Sequence, residues 1–312
     1  MFDTKYRAMA RRALALVAFS SILAQQAVAW GVDGHHMINR VAGMNLPAEM
    51  PAFMLTAEAL DTLEYYAPEP DHWRGKGEPE LASESAPDHF IALERVALLG
   101  KLPRTRYDYV RALVVLQASH PDLPLTVERM GTQPYQTVEV YEKLKSAMRD
   151  YRSLSANKQN VKPLEAEILF LAGILGHYVG DGSMPLHTSI YPNGWSGPNP
   201  NGYTTEHHIH ALFESVFVKA NISIADVAPL VSSSGPAVLN DVFDDYVAYL
   251  YRTNSFVEKT YQLEKAGAFT GKGTPDGKKF AEERLAAASI ELRDIIYTAW
   301  IRSGDPVENP RQ

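Results

Sequence analysis

The feature that most constrains the fold is the helical spacing of apolar residues along almost the whole chain after residue 30. Apolar side chains recur every three or four residues in segments such as "PLEAEILFLAGILGHYVGD" and "KKFAEERLAAASIELRDIIYTAWIR". No stretch between turn signals alternates apolar and polar residues as a β-strand does, and no repeat recurs at a fixed period. Breakers rich in Gly, Pro, Asn and Ser separate the segments without resembling a flexible linker. The pattern predicts one all-α domain over residues 30–312.

The first 29 residues have the pattern of a signal peptide. Four basic residues precede the apolar run "ALALVAFSSILA", and "AVA" at 27–29 is typical of a cleavage site. The apolar run is short for a membrane span, so cleavage is favoured over the alternative of an uncleaved anchor. The sequence therefore predicts a protein exported to the periplasm or secreted, with Trp30 as its new N-terminus.

The composition limits the chemistry of any metal site. The chain has no Cys, which excludes disulfides and thiolate ligands and leaves His, Asp, Glu and backbone groups. After cleavage, the α-amine and carbonyl oxygen of Trp30 can form a five-membered chelate with a metal ion. The formal net charge of −7 argues against a broad electrostatic attraction to nucleic acid or anionic lipid, but it leaves room for a local basic or metal-lined cleft.

A helix predicted from about residue 164 to 182 carries His177 and Asp181 four positions apart, on one face. This helix is apolar nearly all round, so we expect it to be buried, and a buried imidazole and carboxylate need partners or a metal. His210 and Glu214 form a second pair with the same spacing. Either pair alone is common as an ordinary surface contact. Imidazole and carboxylate together, without thiolate, suit zinc in a hydrolytic site.

Five motifs follow one another along the chain: "WGVDGH", "DHWR", "HFI", "HYVGDGSMPLH" and "HALFE". In this order and spacing they resemble the zinc-dependent single-strand nuclease family typified by mung bean nuclease, which shares its trinuclear zinc site with bacterial zinc phospholipase C. The resemblance runs from Trp30 to about residue 217. It implies a single-domain helical bundle of the zinc phospholipase C and single-strand nuclease type.

The resemblance also implies three zinc ions. The first would be held by Asp71, His89, His177 and Asp181, the second by the Trp30 amine and carbonyl, His35 and the shared Asp181, and the third by His187, His210 and Glu214. Zinc in such sites lowers the pKa of water and neutralises charge on a phosphodiester. Asp71, Arg74 and Asp181 are the implied catalytic residues. Arg74 is expected to neutralise phosphate charge or orient Asp71, unless it is an exposed, solubilising side chain.

Several other residues have two readings. Phe90 is a candidate base-stacking platform or a core aromatic. Trp195 and Tyr203, beside the long loop at 191–203, gate a cleft or are loop aromatics without a role. The remaining histidines of the motif regions are interpreted as supporting or surface residues, and they are His36, His72, His207 and His208. His120 is expected at a helix end.

Two departures bear on the substrate. Ala92 follows "HFI" where the nucleases have an Asp implicated in base recognition, and Glu214 stands where the nucleases have Asp and the phospholipases have Glu. The spacing from Trp30 to His35 resembles the nucleases. The implied function is an exported zinc phosphodiesterase acting on single-stranded DNA and RNA, and on 3′-mononucleotides. The alternatives are a phospholipase C acting on phosphatidylcholine-type lipids and a non-catalytic zinc-binding exported protein. No protein partner and no stable membrane insertion are inferred.

Overall fold

The computed structural model describes residues 30–75 and 77–307. The predicted signal peptide, residues 1–29, lies outside the described residues. Between Trp30 and Val307 the described chain consists of helices, turns and loops with no β-strand. The prediction of a single all-α domain is therefore confirmed.

The helices are numbered here in chain order. The α-helices are α1 (Gly31–Met44), α2 (Ala57–Tyr66), α3 (Glu69–His72), α4 (Pro79–Ser85), α5 (Leu93–Val96), α6 (Arg106–Ser119), α7 (Val127–Met130), α8 (Gln133–Ala156), α9 (Lys162–Asp181), α10 (Ile209–Asn221), α11 (Ile224–Ser232), α12 (Val242–Asn254), α13 (Val257–Lys265) and α14 (Pro275–Arg302). Short 3₁₀ helices span Ala52–Leu55, Ala86–His89, Ala97–Leu99 and Pro185–Thr188. Within α10, the segment Leu212–Phe217 is π-helical.

Helix α9 lies at the centre of the fold. It packs against α1, α2, α8 and α14, and every residue from 171 to 181 is buried. The apolar side chains of the second half of this helix therefore face protein on all sides, as the sequence pattern predicts. The observed helix, Lys162–Asp181, begins and ends within two residues of the predicted bounds. Its last turn delivers His177 and Asp181 into the core.

Several helix starts follow from local capping chemistry. The side chains of Thr56, Thr105, Asp241 and Thr274 each accept a hydrogen bond from a backbone N–H three residues further on. These bonds satisfy amide groups that have no partner within the helix. Ser223 and Asp226 form a reciprocal capping box at the start of α11.

The predicted helical segment "VLNDVFDDYVAYLYRTNSFVEKTYQLE" is divided into α12 and α13 in the structure. The break follows Asn254, whose side-chain amide donates to the Thr188 carbonyl at 2.8 Å and to Glu94 at 3.0 Å. Apolar periodicity continues through the break, so the sequence pattern does not reveal it. The bonds made there tie α12 to the residue that follows His187.

Among the described residues, no single helix is long and apolar enough to span a membrane. Helices α10 and α11, which meet at 95°, reach that length and apolar character only when they are taken together as a bent pair.

Candidate metal centre

Helices α1 and α9 approach each other closely because α9 has glycine where they meet. A Cβ atom on Gly176 would lie 1.9 Å from Oδ1 of Asn39, and one on Gly180 would lie 3.0 Å from Nδ1 of His35. The first distance is a severe clash, so a side chain at Gly176 would push the helices apart. The close contact places the His35 ring on the His177 ring, stacked with centroids 4.0 Å apart. Two histidines 142 positions apart in sequence thereby share one buried site.

The first group of candidate ligands surrounds His177. The Nδ1 atom of His177 donates to the Ala67 carbonyl at 2.8 Å, so Nε2 carries the lone pair in the neutral ring. That Nε2 lies 3.0 Å from Nδ1 of His89, 3.4 Å from Asp181 Oδ2 and 3.8 Å from Asp71 Oδ1. The structure therefore brings together the four residues predicted for the first site.

The second group of candidate ligands joins His35 to Asp181, whose two carboxylate oxygens face different histidines. Oδ2 lies 3.0 Å from Nδ1 of His89, whereas Oδ1 lies 3.4 Å from Nε2 of His35. Oδ1 is buried and has no hydrogen-bond partner among the described residues. Because each oxygen is directed to a different side, one carboxylate can bridge two cations. The predicted bridging of two zinc ions by Asp181 stays a prediction.

The third group lies around His187 and His210. The Nδ1 atom of His187 donates to the His89 carbonyl and that of His210 to the Pro192 carbonyl, both at 2.6 Å. The two Nε2 atoms, which carry the lone pairs of the neutral rings, face each other at 3.0 Å. A carboxylate oxygen of Glu214 lies 2.9 Å from Nε2 of His210 and 4.0 Å from that of His187. Three electron-rich atoms thus converge without a hydrogen between them in the neutral tautomers, which favours a bound cation.

A π-helical turn carries Glu214 into this group. His210 lies in the first turn of α10, and Glu214 lies in the π-helical segment Leu212–Phe217. A π-helical turn holds more residues than an α-helical turn, and such turns frequently occur at functional sites. Glu214 is fully buried, and one of its carboxylate oxygens lies 2.9 Å from Nε2 of His210.

Electrostatics make these groups unstable as isolated ions. Burial raises the pKa of Asp181 well above its usual value, and the nearby Asp71 carboxylate adds to the effect. Burial likewise raises the pKa of Glu214 and lowers the pKa values of His89, His177 and His187 well below the usual value for histidine. Burial opposes protonation of His210 as well, but Glu214 outweighs it and raises the His210 pKa. A divalent cation would compensate the buried carboxylates that water does not reach.

Three side chains from two other helices, α8 and α12, hold the end of α9 in place. The carbonyls of its last turn have no partners within the helix. Tyr246 and Gln133 donate to the Tyr178 carbonyl at 3.0 and 2.7 Å, and Tyr249 donates to the Val179 carbonyl at 3.2 Å. Sequence reasoning did not find these residues, because no motif marks them. Only the tertiary fold brings them to α9.

Trp30 also bonds to the C-terminal end of α9. Its indole N–H donates to the Gly180 carbonyl and to the Ser183 hydroxyl, both at 2.8 Å. Its ring is fully buried and packs edge-on against Phe213, with centroids 5.5 Å apart. Its carbonyl oxygen accepts from the backbone N–H of Gly34 at 3.0 Å. The chain therefore places Trp30 beside Asp181; the predicted ligation by its free amine stays a prediction.

A direct backbone link joins the first and third groups. The His89 carbonyl accepts a hydrogen bond from Nδ1 of His187, and the backbone N–H of Ile91 donates to the His187 carbonyl at 2.8 Å. Glu94 accepts from the Ser189 hydroxyl at 2.7 Å and from the Ile190 backbone N–H at 3.0 Å. These bonds hold the segment after His187 in register with the segment after His89.

Arg74 lies at the edge of the first group. Its guanidinium forms an ion pair with Asp71, and its side chain is 14 % exposed. The alternative of an exposed, solubilising arginine is therefore wrong. Burial raises the pKa of Asp71, and the Arg74 charge opposes this shift. Phe90 is partly buried and follows His89 in an extended conformation, which leaves both of its readings open.

The loop aromatics form a cluster of their own. The Trp195 ring stacks on Tyr191 with centroids 4.1 Å apart, and it contacts Tyr203 and Tyr261. Tyr203 is buried, so it is not an exposed loop aromatic. The Tyr261 hydroxyl donates to the Tyr191 carbonyl at 2.8 Å, which ties the loop to α13.

The other histidines lie outside the three groups. His36 lies 3.9 Å from Glu64, His72 lies 3.2 Å from Glu69, and His208 lies between Glu206 and Glu264. His207 is exposed and donates from Nδ1 to the Asn193 carbonyl at 2.6 Å. His120 caps the C-terminal end of α6, as predicted.

No protein-family model matches the sequence, and no curated protein matches it significantly. The site itself supports a coarser conclusion. In the part of the chain that the structure describes, ligand atoms lie within 4.8 Å of one another in three buried or nearly buried sets, which are His35 with His177 and Asp181, Asp71 with His89 and His177, and His187 with His210 and Glu214. These sets can hold metal ions.

Proposed function

We propose that this protein is an exported zinc-dependent phosphodiesterase, an endonuclease that hydrolyses single-stranded DNA and RNA with three zinc ions. The observation that carries the proposal is the position of Asp181 between two histidine sets, with the third set adjacent. Asp181 Oδ2 lies 3.9 Å from Nδ1 of His187, so all three sets border one small region. Sites with several metals suit the in-line displacement at phosphorus, because the attacking and leaving oxygens both need charge stabilisation.

The ligand chemistry supports zinc. Histidine nitrogens and carboxylate oxygens make up the sets, and zinc accepts both readily. When bound, zinc supplies a lowered pKa for water and electrophilic stabilisation of phosphoryl oxygens. Backbone carbonyls accept from Nδ1 of His177, His187 and His210 and so fix their tautomers. A hydrogen bond of this kind orients the ring and raises the basicity of the nitrogen that would bind the metal.

Arg74 is the cation that the chain itself contributes beside these sets. Its partner Asp71 is nearly buried, at 6 % side-chain exposure. We propose that Arg74 keeps Asp71 ionised and directed at the first zinc, and that it attracts the phosphate of the substrate.

Glu214 favours a second candidate. In the families that the sequence resembles, the phospholipases C have Glu at this position and the nucleases have Asp. Ala92 also lacks the carboxylate side chain that the nucleases use for base recognition. A phospholipase C acting on phosphatidylcholine-type lipids is therefore the second candidate function. A non-catalytic zinc-binding protein is disfavoured, because each proposed position has a side chain able to bind zinc.

A side-by-side assay tests the proposal. Purified mature protein with zinc should degrade single-stranded DNA and RNA, leave phosphatidylcholine micelles intact, and lose activity in EDTA. Hydrolysis of lipid alone would replace the nuclease with the phospholipase. Absence of turnover with three zinc ions bound would contradict both enzymes.

The N-terminus provides an independent test. A chain beginning at Trp30 should bind three zinc ions, and one extended by a single Ala should bind the second zinc at least about tenfold more weakly, since the amine is then an amide. N-terminal sequencing of the exported protein should read Trp first. Equal zinc affinity of the two chains would remove Trp30 from the ligand set.

A further inference from the structure

A polar cavity lies among α8, α12 and α14, apart from the metal centre. It has a volume of about 450 Å³, and none of its lining residues belongs to the three ligand sets. Helix α8 provides a stripe that includes Tyr141, Lys145 and Arg149. The start of α12 provides Phe243, and the end of α14 provides Arg302.

Two cations in this cavity have no anionic partner among residues 30–75 and 77–307. Lys145 and Arg149 are four residues apart on one face of α8. Neither forms an ion pair with a described carboxylate, whereas their neighbours Arg104 and Arg302 pair with Asp241 and Asp305. The Nε of Arg149 is buried and has no hydrogen-bond acceptor among the described residues. A buried guanidinium nitrogen without an acceptor is costly, and a bound anion would satisfy it.

Tyr141 adds a neutral donor to the same wall. The residue is 5 % exposed, and its hydroxyl has no hydrogen bond within the described chain. Burial raises the pKa of Tyr141 to about 12, so the hydroxyl stays protonated at neutral pH. The Lys145 ammonium lies 5.2 Å from the centre of this ring. Ammonium, guanidinium and hydroxyl thus line one cavity.

Acidic groups on the rim limit what the cavity accepts. Glu142 lines it as well, and Asp241 and Asp305 are engaged by Arg104 and Arg302. The unpaired charge is therefore small and local, which suits one phosphate group rather than a broad polyanion surface.

We propose that this cavity is a second phosphate-binding site, which holds one phosphodiester of a single-stranded nucleic acid away from the metal centre through Lys145, Arg149 and Tyr141. The inference rests on the proposed nuclease function, since it names the substrate that this site grips. A second contact on the strand raises affinity for long substrates without changing the chemistry at the metals.

The test uses binding in the absence of metal. The full mature chain in EDTA is titrated with a fluorescein-labelled single-stranded oligodeoxynucleotide over a range of salt concentrations. The double variant Lys145→Ala, Arg149→Ala should bind at least fivefold more weakly than the wild type. The slope of log affinity against log salt should fall in magnitude by about 0.7, because the site neutralises one phosphate and each neutralised phosphate on a single strand contributes about 0.7.

The matched control removes two exposed cations, Lys143 and Lys272, that form no ion pair with a described carboxylate. The variant Lys143→Ala, Lys272→Ala has the same net charge as the test variant and should bind as the wild type does. Inorganic phosphate added as a small probe should compete with the oligonucleotide in the wild type only. Circular dichroism checks that each variant is folded, and the single variant Lys145→Glu should also weaken binding.

Equal weakening in both double variants would overturn the site, since it would show a general charge effect. Unchanged binding in the test variant would overturn it as well. Turnover of bis(p-nitrophenyl) phosphate by the zinc-loaded protein separates the two proposals. The test variant should retain wild-type kcat/KM on this small diester, whereas a wild type that lacks such turnover would contradict the proposed function and not the binding site.

Discussion

Nε2 of His187 and Nε2 of His210 face each other at 3.0 Å while both Nδ1 atoms donate to backbone carbonyls. The carbonyls settle which nitrogen carries the proton, because an oxygen acceptor requires an N–H donor. The neutral rings therefore direct two lone pairs at the same point, beside a buried carboxylate of Glu214. In the neutral tautomers this arrangement is unfavourable, and either a bound cation or a proton on His210 that pairs with Glu214 relieves it.

The first prediction concerns Glu214. Glu214→Gln removes the negative charge of the third set and should weaken zinc binding there by at least about 100-fold, while two other zinc ions stay bound. Hydrolysis of single-stranded DNA should fall with it. Metal content after dialysis and helical circular dichroism are the measurements. The control is Glu206→Gln, since the Glu206 side chain is 82 % exposed. If Glu214→Gln still binds a third zinc ion, the assignment of Glu214 with His187 and His210 to that zinc is wrong.

The second prediction concerns the buried charge of Asp181. In EDTA, Asp181→Asn should raise the melting temperature by about 3–6 °C at pH 8, because the wild type buries a carboxylate whose charge no cation compensates. With zinc, the wild type should have the higher melting temperature, since only the wild type binds the two zinc ions that Asp181 is proposed to bridge. Calorimetry with and without zinc measures both. Asp122→Asn, an exposed control, should change neither value; a metal-free Asp181→Asn less stable than the wild type would contradict the argument.

The third prediction concerns Tyr246, which positions the end of α9. Tyr246→Phe deletes the bond to the Tyr178 carbonyl and leaves Gln133 with one acceptor fewer. We expect a loss of about 1–2 kcal/mol in the free energy of unfolding and weaker zinc binding at Asp181. Tyr109→Phe is a matched control, because the Tyr109 hydroxyl is buried without a hydrogen-bond partner among the described residues. Equal effects of the two substitutions would show that Tyr246 acts through packing alone.

The fourth prediction concerns pH and Glu291. Burial raises the pKa of Glu291 to about 8, although Arg252, 4.0 Å away, opposes the shift, while Asp294 and Asp245 add to it. The folded protein therefore holds a proton that the unfolded chain, with a pKa near 4.5, releases. The free energy of unfolding should therefore fall as pH rises from about 4.5 to 8. The total fall is at most about 5 kcal/mol, because each unit of pKa difference contributes about 1.4 kcal/mol.

Glu291→Gln should remove this dependence. The variant should gain stability over the wild type at pH 9 and show little difference at pH 4.5, as measured by urea unfolding at each pH. A constant difference between the two proteins over this range would mean that Glu291 does not titrate as described.

The extent of prediction from sequence differs between the fold and the site. Helix α9 was predictable because its apolar residues and its His177–Asp181 pair lie within one local segment. The division of α12 from α13 was not, since the side chain of Asn254 bonds to Thr188, 66 residues away. The order of the motifs predicts the candidate ligands. It does not predict that Tyr246 and Tyr249 bond to the end of α9 or that the Pro192 carbonyl accepts from His210, because no local pattern marks these residues.

The sequence by itself determined the helical class, the buried character of α9 and the residue types able to bind a metal, because periodicity, side-chain polarity and spacing within one helix are local properties. Only the tertiary structure decided that Asp181 faces His35 with one oxygen and His89 with the other. It also decided which nitrogen of His187 and His210 is held by a carbonyl. These relations depend on distances between residues far apart in the chain, which close packing at Gly176 and Gly180 sets.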